Sequence, residues 1–138
     1  MNRSRSSLLL LPVVVFAAVY WVGLGAWFQQ DDFAHLQLAA ATPLSGLPAM
    51  MAKPVAQGTF RPLSERLFYW VIWHNFGLNA LPAHIFCFLL QAVNCLLLGW
   101  LLWRRTGSIW GAVLGTTAWA VHPALALPMT WTAATNQL

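Results

Sequence analysis

The chain has 138 residues, of which 59% are hydrophobic and only 7% are charged. A soluble globular domain has about 45–50% apolar and about 25% charged residues, so this composition excludes an ordinary water-soluble enzyme and a disordered tail. The net charge of +4 comes from seven Lys and Arg against three acids. The basic residues form no dense stripe, which argues against a nucleic-acid partner. We therefore predict an all-α integral membrane protein.

Three apolar segments predict transmembrane helices within a single membrane domain. The first runs from Leu8 to Phe28 and is uncharged for 21 residues, and about 20 helical residues cross a bilayer core. The second runs from about Leu81 to Trp103, and the third from about Ser108 to Leu127. A long loop, from about residue 29 to residue 79, connects the first two spans.

The basic residues predict the orientation of these spans. Arg3 and Arg5 precede the first span, and Arg104-Arg105 lie between the second and third, so both regions are expected on the cytoplasmic side. The long loop is then exterior or periplasmic, in a multi-pass protein of the cell (inner) membrane. A cleaved signal peptide is the competing interpretation, because Gly23-Leu24-Gly25 offers small residues at cleavage spacing. Either interpretation leaves the following loop outside.

The long loop ends in an amphipathic pattern that predicts a helix lying on the membrane. Ser64 is the expected N-cap, Glu65 lies in the first turn, and Gly77 is the expected stop. The 13 residues from Ser64 to Phe76 are too few to span a bilayer. We expect one or two such interfacial helices in the loop.

Three charged residues of the loop are candidates for chemistry. Asp31 and Asp32 follow the first span directly, where adjacent carboxylates could transfer a proton or bind a divalent cation. They could equally be a solvated pair that marks the end of the helix. Arg61 stands between Phe60 and Pro62, in a stiff backbone, and suits a lipid phosphate. The alternative for Arg61 is a snorkelling interfacial side chain.

Polar residues inside the predicted spans are candidates for lining a cavity. His84, Gln91 and Asn94 share one face of the second span, and His122 lies in the outer half of the third, before a proline expected to kink it. Hydrogen bonding between helices is the alternative role for each of them. The Cys and His residues have no metal-binding spacing, so no metal ligand is predicted, and the cofactors are left open.

Several of these residues belong to an ordered series of motifs. In chain order they are Asp31-Asp32, Phe60-Arg61-Pro62-Leu63-Ser64, Phe76-Gly77-Leu78-Asn79, His84, Asn94, Arg104-Arg105, His122-Pro123 and Trp131. Over about residues 28 to 138, this series resembles the N-terminal part of GT-C superfamily membrane glycosyltransferases. It is most similar to the protein O-mannosyltransferase-like branch that includes the transmembrane, tetratricopeptide-containing transferases.

The resemblance implies transfer of a sugar from a polyprenyl-phosphate-linked donor to an acceptor on the exterior face. By position, one carboxylate of the pair would be the catalytic acid of the first exterior loop. Asp31 is the preferred one, as a general base or as a group that orients the acceptor, and Arg61 would contact the donor phosphate. The segment from Ser64 to Phe76 would wall the active site.

Two departures separate this chain from that family. Several relatives carry an acid five residues after the His of His-Pro, where this chain has Leu127. Members of the superfamily also have many more than three spans, so we expect this chain to be an N-terminal portion that is inactive alone. The alternative function is a small three-span membrane protein that acts in interaction or assembly, without catalytic activity.

Overall fold

The computed structural model describes residues 6–54 and 60–137, and each regular element among them is helical. Arg3 and Arg5, which support the predicted orientation, lie outside these residues. The helices are α1 (Ser7–Gly25), α2 (Asp31–Ala40), α3 (Leu47–Met51), α4 (Phe68–Phe76), α5 (Leu81–Thr106), α6 (Ile109–Ala120) and α7 (Ala126–Thr130). The all-α prediction is confirmed for the described residues.

Two of the described helices are long and apolar enough to cross a membrane. These are α1 with 19 residues and α5 with 26 residues, and both have a mean hydropathy above 2 in their most apolar window. α6 and the segment Pro123–Thr130 satisfy the same test together, although the chain bends by 53° between them. The described part of the chain therefore has two spans, or three if the bent pair crosses as one, and these helices indicate a membrane protein.

The predicted boundaries of the spans need correction at both of the long helices. α1 ends at Gly25 rather than at Phe28, because Ala26 adopts an extended backbone. α5 continues past Trp103 to Thr106, so Arg104-Arg105 form its last turn, where positive charge is favoured by the helix dipole. Gly107 then ends the helix in the left-handed conformation, with φ of 69°.

The predicted third span is not one continuous helix. α6 ends at Ala120, and His122 is extended, with φ of −64° and ψ of 132°. Pro123 explains the break, because proline lacks an N–H and disfavours helical backbone in the residue before it. The predicted interruption of the helix at His122-Pro123 is therefore confirmed.

The residues between α1 and α5 form a layer of short helices, which we call the juxtamembrane layer (residues 26–54 and 60–80). In this layer α2 packs against α4, and a π-helical turn at Pro62–Leu67 leads directly into α4. Ser64 lies inside that turn, so its prediction as an N-cap was wrong; proline at the first helical position sets the start instead. Gly77, with φ of 58°, ends α4 as predicted.

Buried residues form three clusters stacked along the helices. The first lies near the start of α1, the second between α1, α5 and α7, and the third between the juxtamembrane layer and the start of α5. The third cluster comprises Phe28, Leu36, Ala39, Tyr69, Ile72, Ala80 and Ala83. It fixes α2 over the end of the bundle, and α2 carries the acidic pair.

Candidate functional site

The adjacent carboxylates Asp31 and Asp32 occupy the first turn of α2, where the helix dipole favours negative charge. Successive helical residues point about 100° apart, so the two side chains face different surroundings. Asp31 is exposed, whereas Asp32 has no exposed surface. The two acids are adjacent in the sequence, but one carboxylate is accessible and the other is buried.

The buried carboxylate of Asp32 is held by three hydrogen bonds from three parts of the chain. Its Oδ1 accepts from the Tyr69 hydroxyl and, at 2.7 Å, from Oγ1 of Thr132. Its Oδ2 accepts from the backbone N–H of Gln29 at 2.8 Å. Several donors around one buried carboxylate offset its loss of hydration. Asp32 therefore anchors α2 to α4 and to the 3₁₀ turn at Thr132–Gln137, which follows α7.

The network makes Tyr69 a permanent donor to Asp32. Tyr69 is fully buried, and burial raises the pKa of its hydroxyl far above the usual value of 10, with a further rise from the neighbouring Asp32 carboxylate. The phenol therefore stays protonated throughout the physiological range. The hydroxyl proton of Tyr69 is donated to Oδ1 of Asp32, and this hydrogen bond fixes the orientation of the carboxylate.

His35 lies one helical turn after Asp31 and against the same network. Its ring centroid is 4.9 Å from that of Tyr69, and the side chain is half-buried. Burial lowers the pKa of His35, and Glu65 opposes this with a smaller effect. The imidazole is therefore neutral near pH 7, beside the exposed carboxylate of Asp31 at position i−4. A carboxylate and a neutral imidazole on one helix face can accept and pass on protons.

The turn that leads into Asp31 is strained. Gln30 has φ of 39° and ψ of −107°, and it is the one non-glycine residue with positive φ among those that the structure describes. The neighbouring Gln29 fixes this turn, because its backbone N–H donates to Asp32 and its Nε2 donates to the Thr130 carbonyl at 3.0 Å. Strained backbone of this kind costs about 1–3 kcal/mol and persists where surrounding contacts determine it.

Arg61 is joined to Glu65 rather than left free. Its guanidinium donates to Oε1 of Glu65 at 2.9 Å, and the arginine side chain remains 45% exposed while the Glu65 side chain is 7% exposed. One edge of the guanidinium is thus held in place, and its remaining N–H groups can still reach a ligand. The pair lies at the π-helical turn that precedes α4.

The candidates inside α5 lie on its buried face, as their spacing predicts. His84 and Gln91 are completely buried, and Asn94, which is half-buried, donates to Oε1 of Gln91 at 3.4 Å. The ring of His84 lies near the Ala26 backbone and the Asp32 carboxylate, and neither ring nitrogen has a hydrogen-bond partner among the described residues. His84 therefore lies beneath the acidic end of α2, whereas Gln91 and Asn94 lie deeper in the bundle.

His122 is placed apart from the buried network of Asp32. Its side chain is exposed, and its Nδ1 accepts from the Ala124 N–H at 3.2 Å, which caps the turn at Pro123. Its carbonyl accepts from the Tyr20 hydroxyl at 2.8 Å. In this position His122 stabilises the break between α6 and α7.

An apolar groove of about 670 Å³ runs between α4 and α5. Its walls are formed by aliphatic and aromatic side chains of both helices and of the π-helical turn, including Leu63, Leu67, Phe68, Ile85, Phe86 and Leu89. Leu63, which lines the groove, lies two residues after Arg61 in the chain. A groove of this size and composition fits a hydrocarbon chain.

The described residues contain no group of three or more His, Cys, Asp or Glu side chains that could hold a metal ion.

The sequence analysis did not identify Tyr69, Thr132 and His35, which the structure brings to the acidic pair. A signal for Tyr69 was present, because a tyrosine on the apolar side of an amphipathic helix requires a partner for its hydroxyl. Thr132 gave no such signal.

Comparison with protein-family models, with curated proteins and with solved structures finds no match for this chain.

Proposed function

We propose that this chain is the N-terminal portion of a GT-C-type membrane glycosyltransferase, in which Asp31 is the general base. The enzyme would transfer a sugar from a polyprenyl-phosphate donor to an acceptor on the exterior face of the cell membrane. One observation carries the proposal: Asp32 is buried and held by three hydrogen bonds, whereas Asp31 is exposed and directly follows the strained residue Gln30. Catalytic groups require such fixed positions.

Two further features support a donor of this chemistry. The groove between α4 and α5 fits an isoprenoid chain, and Arg61, two residues before the groove residue Leu63, keeps part of its side chain exposed. Oε1 of Glu65 holds one side of that guanidinium, and its other N–H groups could bind a phosphate through parallel hydrogen bonds. The acceptor oxygen would bond to the anomeric carbon of the sugar as the bond from that carbon to the polyprenyl phosphate breaks, and the polyprenyl phosphate would leave. Asp31 would take the proton of the acceptor hydroxyl, and the neutral imidazole of His35, one helical turn away, could accept that proton in turn.

The test is the transfer activity, in membranes, of the longer enzyme that would contain this chain. The enzyme is supplied with a panel of polyprenyl-phosphate-linked sugars. Asp31→Asn should lower kcat at least about 100-fold, because a positioned general base contributes about 10²–10⁴-fold. Arg61→Gln should act mainly on the KM for the donor. The matched control is Gln37→Asn, an exposed polar change on the same helix, which should leave transfer unchanged.

Retention of full transfer by a folded Asp31→Asn variant would contradict this assignment. An absence of transfer from every donor, together with a protein that co-purifies in mild detergent, would favour the alternative of a membrane interaction or assembly protein. In that case the groove between α4 and α5 would be the first surface to examine for the partner.

A further inference from the structure

A second cavity, of about 380 Å³, lies at the opposite end of α2 from Asp31. It is lined by the C-terminal part of α2, by α3 and by Arg66 of the π-helical turn. Ten helical rises separate Asp31 from Ala41, which lines this cavity, so the two places are about 15 Å apart along the helix. The cavity is therefore separate from the candidate catalytic site.

The charge of this cavity is positive and unbalanced. Arg66 and Lys53 both line it, and no residue of the lining is acidic. The whole chain has three acids, and none of them lines the cavity, although Glu65 directly precedes Arg66 in the chain. Asp31 lies at the far end of α2, Asp32 is bound in its own network, and the Oε1 atom of Glu65 is paired with Arg61.

Arg66 is the unusual member of this cavity. It is only 8% exposed, and its Nε has no hydrogen-bond partner among the described residues. A buried cation without a counter-charge costs several kcal/mol unless an anion offsets it. Lys53, in contrast, is exposed at the rim, where it can approach the same anion from the solvent side.

The wall of the cavity at Thr42 is held in place by a hydrogen bond from α4. Nε1 of Trp70 donates to the Thr42 carbonyl at 2.9 Å, and His74 stacks on Trp70 with ring centroids 4.2 Å apart. The remaining walls include the apolar side chains of Leu38 and Met50. A preorganised pocket with two cations and apolar walls fits an anionic group attached to an organic residue better than a bare ion.

The geometry points to a phosphate-ester binding site, formed by Arg66 and Lys53 and independent of the proposed transferase activity. Arginine binds phosphate through two parallel N–H donors, and lysine adds a point charge. Its ligand would be a phosphate ester, which either the headgroup of an anionic phospholipid or a soluble phosphate ester can supply.

The test measures binding of two phosphate esters to the purified full chain. Glycerol 3-phosphate is titrated calorimetrically into the detergent-solubilised protein, with glycerol as the reference. In parallel, the protein is taken from nanodiscs of phosphatidylcholine with and without phosphatidylglycerol, and retained lipid is counted by native mass spectrometry. Saturable binding of glycerol 3-phosphate indicates a soluble ester, and retention of phosphatidylglycerol alone indicates a lipid headgroup. Both results support the site.

The variants attribute binding to the cavity. Arg66→Gln should weaken it at least tenfold, which corresponds to about 1.4 kcal/mol. Lys53→Gln, at an exposed position that cannot disturb the core, should weaken it about threefold, since a rim charge contributes less than a buried one. Arg105→Gln removes the same charge from the far end of α5 and should change binding less than twofold.

Failure of both esters to bind, or equal binding by the parent, Arg66→Gln and Lys53→Gln proteins, would overturn the proposal. If Arg66→Gln lowers the yield of folded protein, Lys53→Gln decides. Transfer activity is measured separately, so loss of phosphate binding with intact transfer, or the reverse, distinguishes this site from the proposed catalytic one.

Discussion

Thr132 donates a hydrogen bond of 2.7 Å to Oδ1 of Asp32 across a separation of 100 residues in the chain. The bond ties the first helix of the juxtamembrane layer to the turn that follows α7. Tyr69 donates to the same oxygen from α4, so three distant segments meet at one carboxylate. The position of Asp31, the preceding residue of α2, depends on contacts that neither α1 nor α2 makes alone.

Replacement of Asp32 should therefore destabilise the fold much more than replacement of its neighbour. Asp32→Ala leaves the donors of Tyr69, Thr132 and Gln29 without their acceptor, and we expect a loss of about 3 kcal/mol or more. Asp31→Ala, at an exposed position, should leave the unfolding midpoint nearly unchanged. Denaturant titration of the purified protein in detergent measures both, and equal effects of the two variants would disprove the division of roles.

The donors to Asp32 should be energetically coupled. Tyr69→Phe and Thr132→Val each remove one of two donors to the same oxygen, and each should cost about 1.5–3 kcal/mol. The double variant should differ from the sum of the single variants by at least about 0.5 kcal/mol, because both donors act on one buried charge. Strict additivity in this double-mutant cycle would indicate that the three side chains do not share a site.

Relief of the strained turn before Asp31 should stabilise the protein. Glycine tolerates the positive φ of Gln30, so Gln30→Gly should raise the free energy of unfolding by about 1 kcal/mol. The matched control is Gln37→Gly, in the middle of α2, which should lower it by about 1 kcal/mol. If the turn positions Asp31 for catalysis, the more stable Gln30→Gly protein should also lose transfer activity. Destabilisation by both glycines would contradict the strained geometry.

The hydropathy of the chain predicted the positions of α1 and α5, because long apolar segments have few alternatives to spanning a membrane, and the structure has helices of 19 and 26 residues there. The end of α4 at Gly77 could also be predicted from the sequence, because glycine adopts the positive φ found at this position more easily than other residues. The division between Asp31 and Asp32 could not be predicted, because it depends on Tyr69 and Thr132, which lie 37 and 100 residues from Asp32. Nor does the sequence show that Arg66, rather than Arg61, is buried.

Acidification should weaken the fold through His35. Burial lowers the pKa of its folded form below the usual 6.5, so the unfolded chain binds more protons below that pH. The contribution of neutral His35 to the free energy of unfolding should be fully present above about pH 6.5. It should be lost as the pH falls toward the pKa of His35 in the folded protein. Glu65, Asp31 and Asp32 reduce this shift, and Arg66 adds to it.

The pH dependence is measured as the unfolding midpoint between about pH 7.5 and pH 5. His35→Gln removes the titrating group and should flatten this part of the profile. His122→Gln, a histidine change at an exposed position, is the control and should leave the profile as it is. An unchanged slope in His35→Gln would show that another group causes the acid sensitivity.

The packing of α7 against the end of α1 can be tested with two glycines that stand two residues apart. A Cβ at Gly23 would overlap the Met129 carbonyl oxygen, which belongs to the backbone and cannot move aside alone. Gly23→Ala should therefore displace α7 and cost about 1–3 kcal/mol or more. Because α7 leads to Thr132, the same change should weaken the anchor of Asp32 and lower any activity that depends on Asp31. Gly25→Ala is the matched control, since its Cβ meets nothing within 4 Å. Equal stability of the two alanine variants would mean that α7 does not lie against α1.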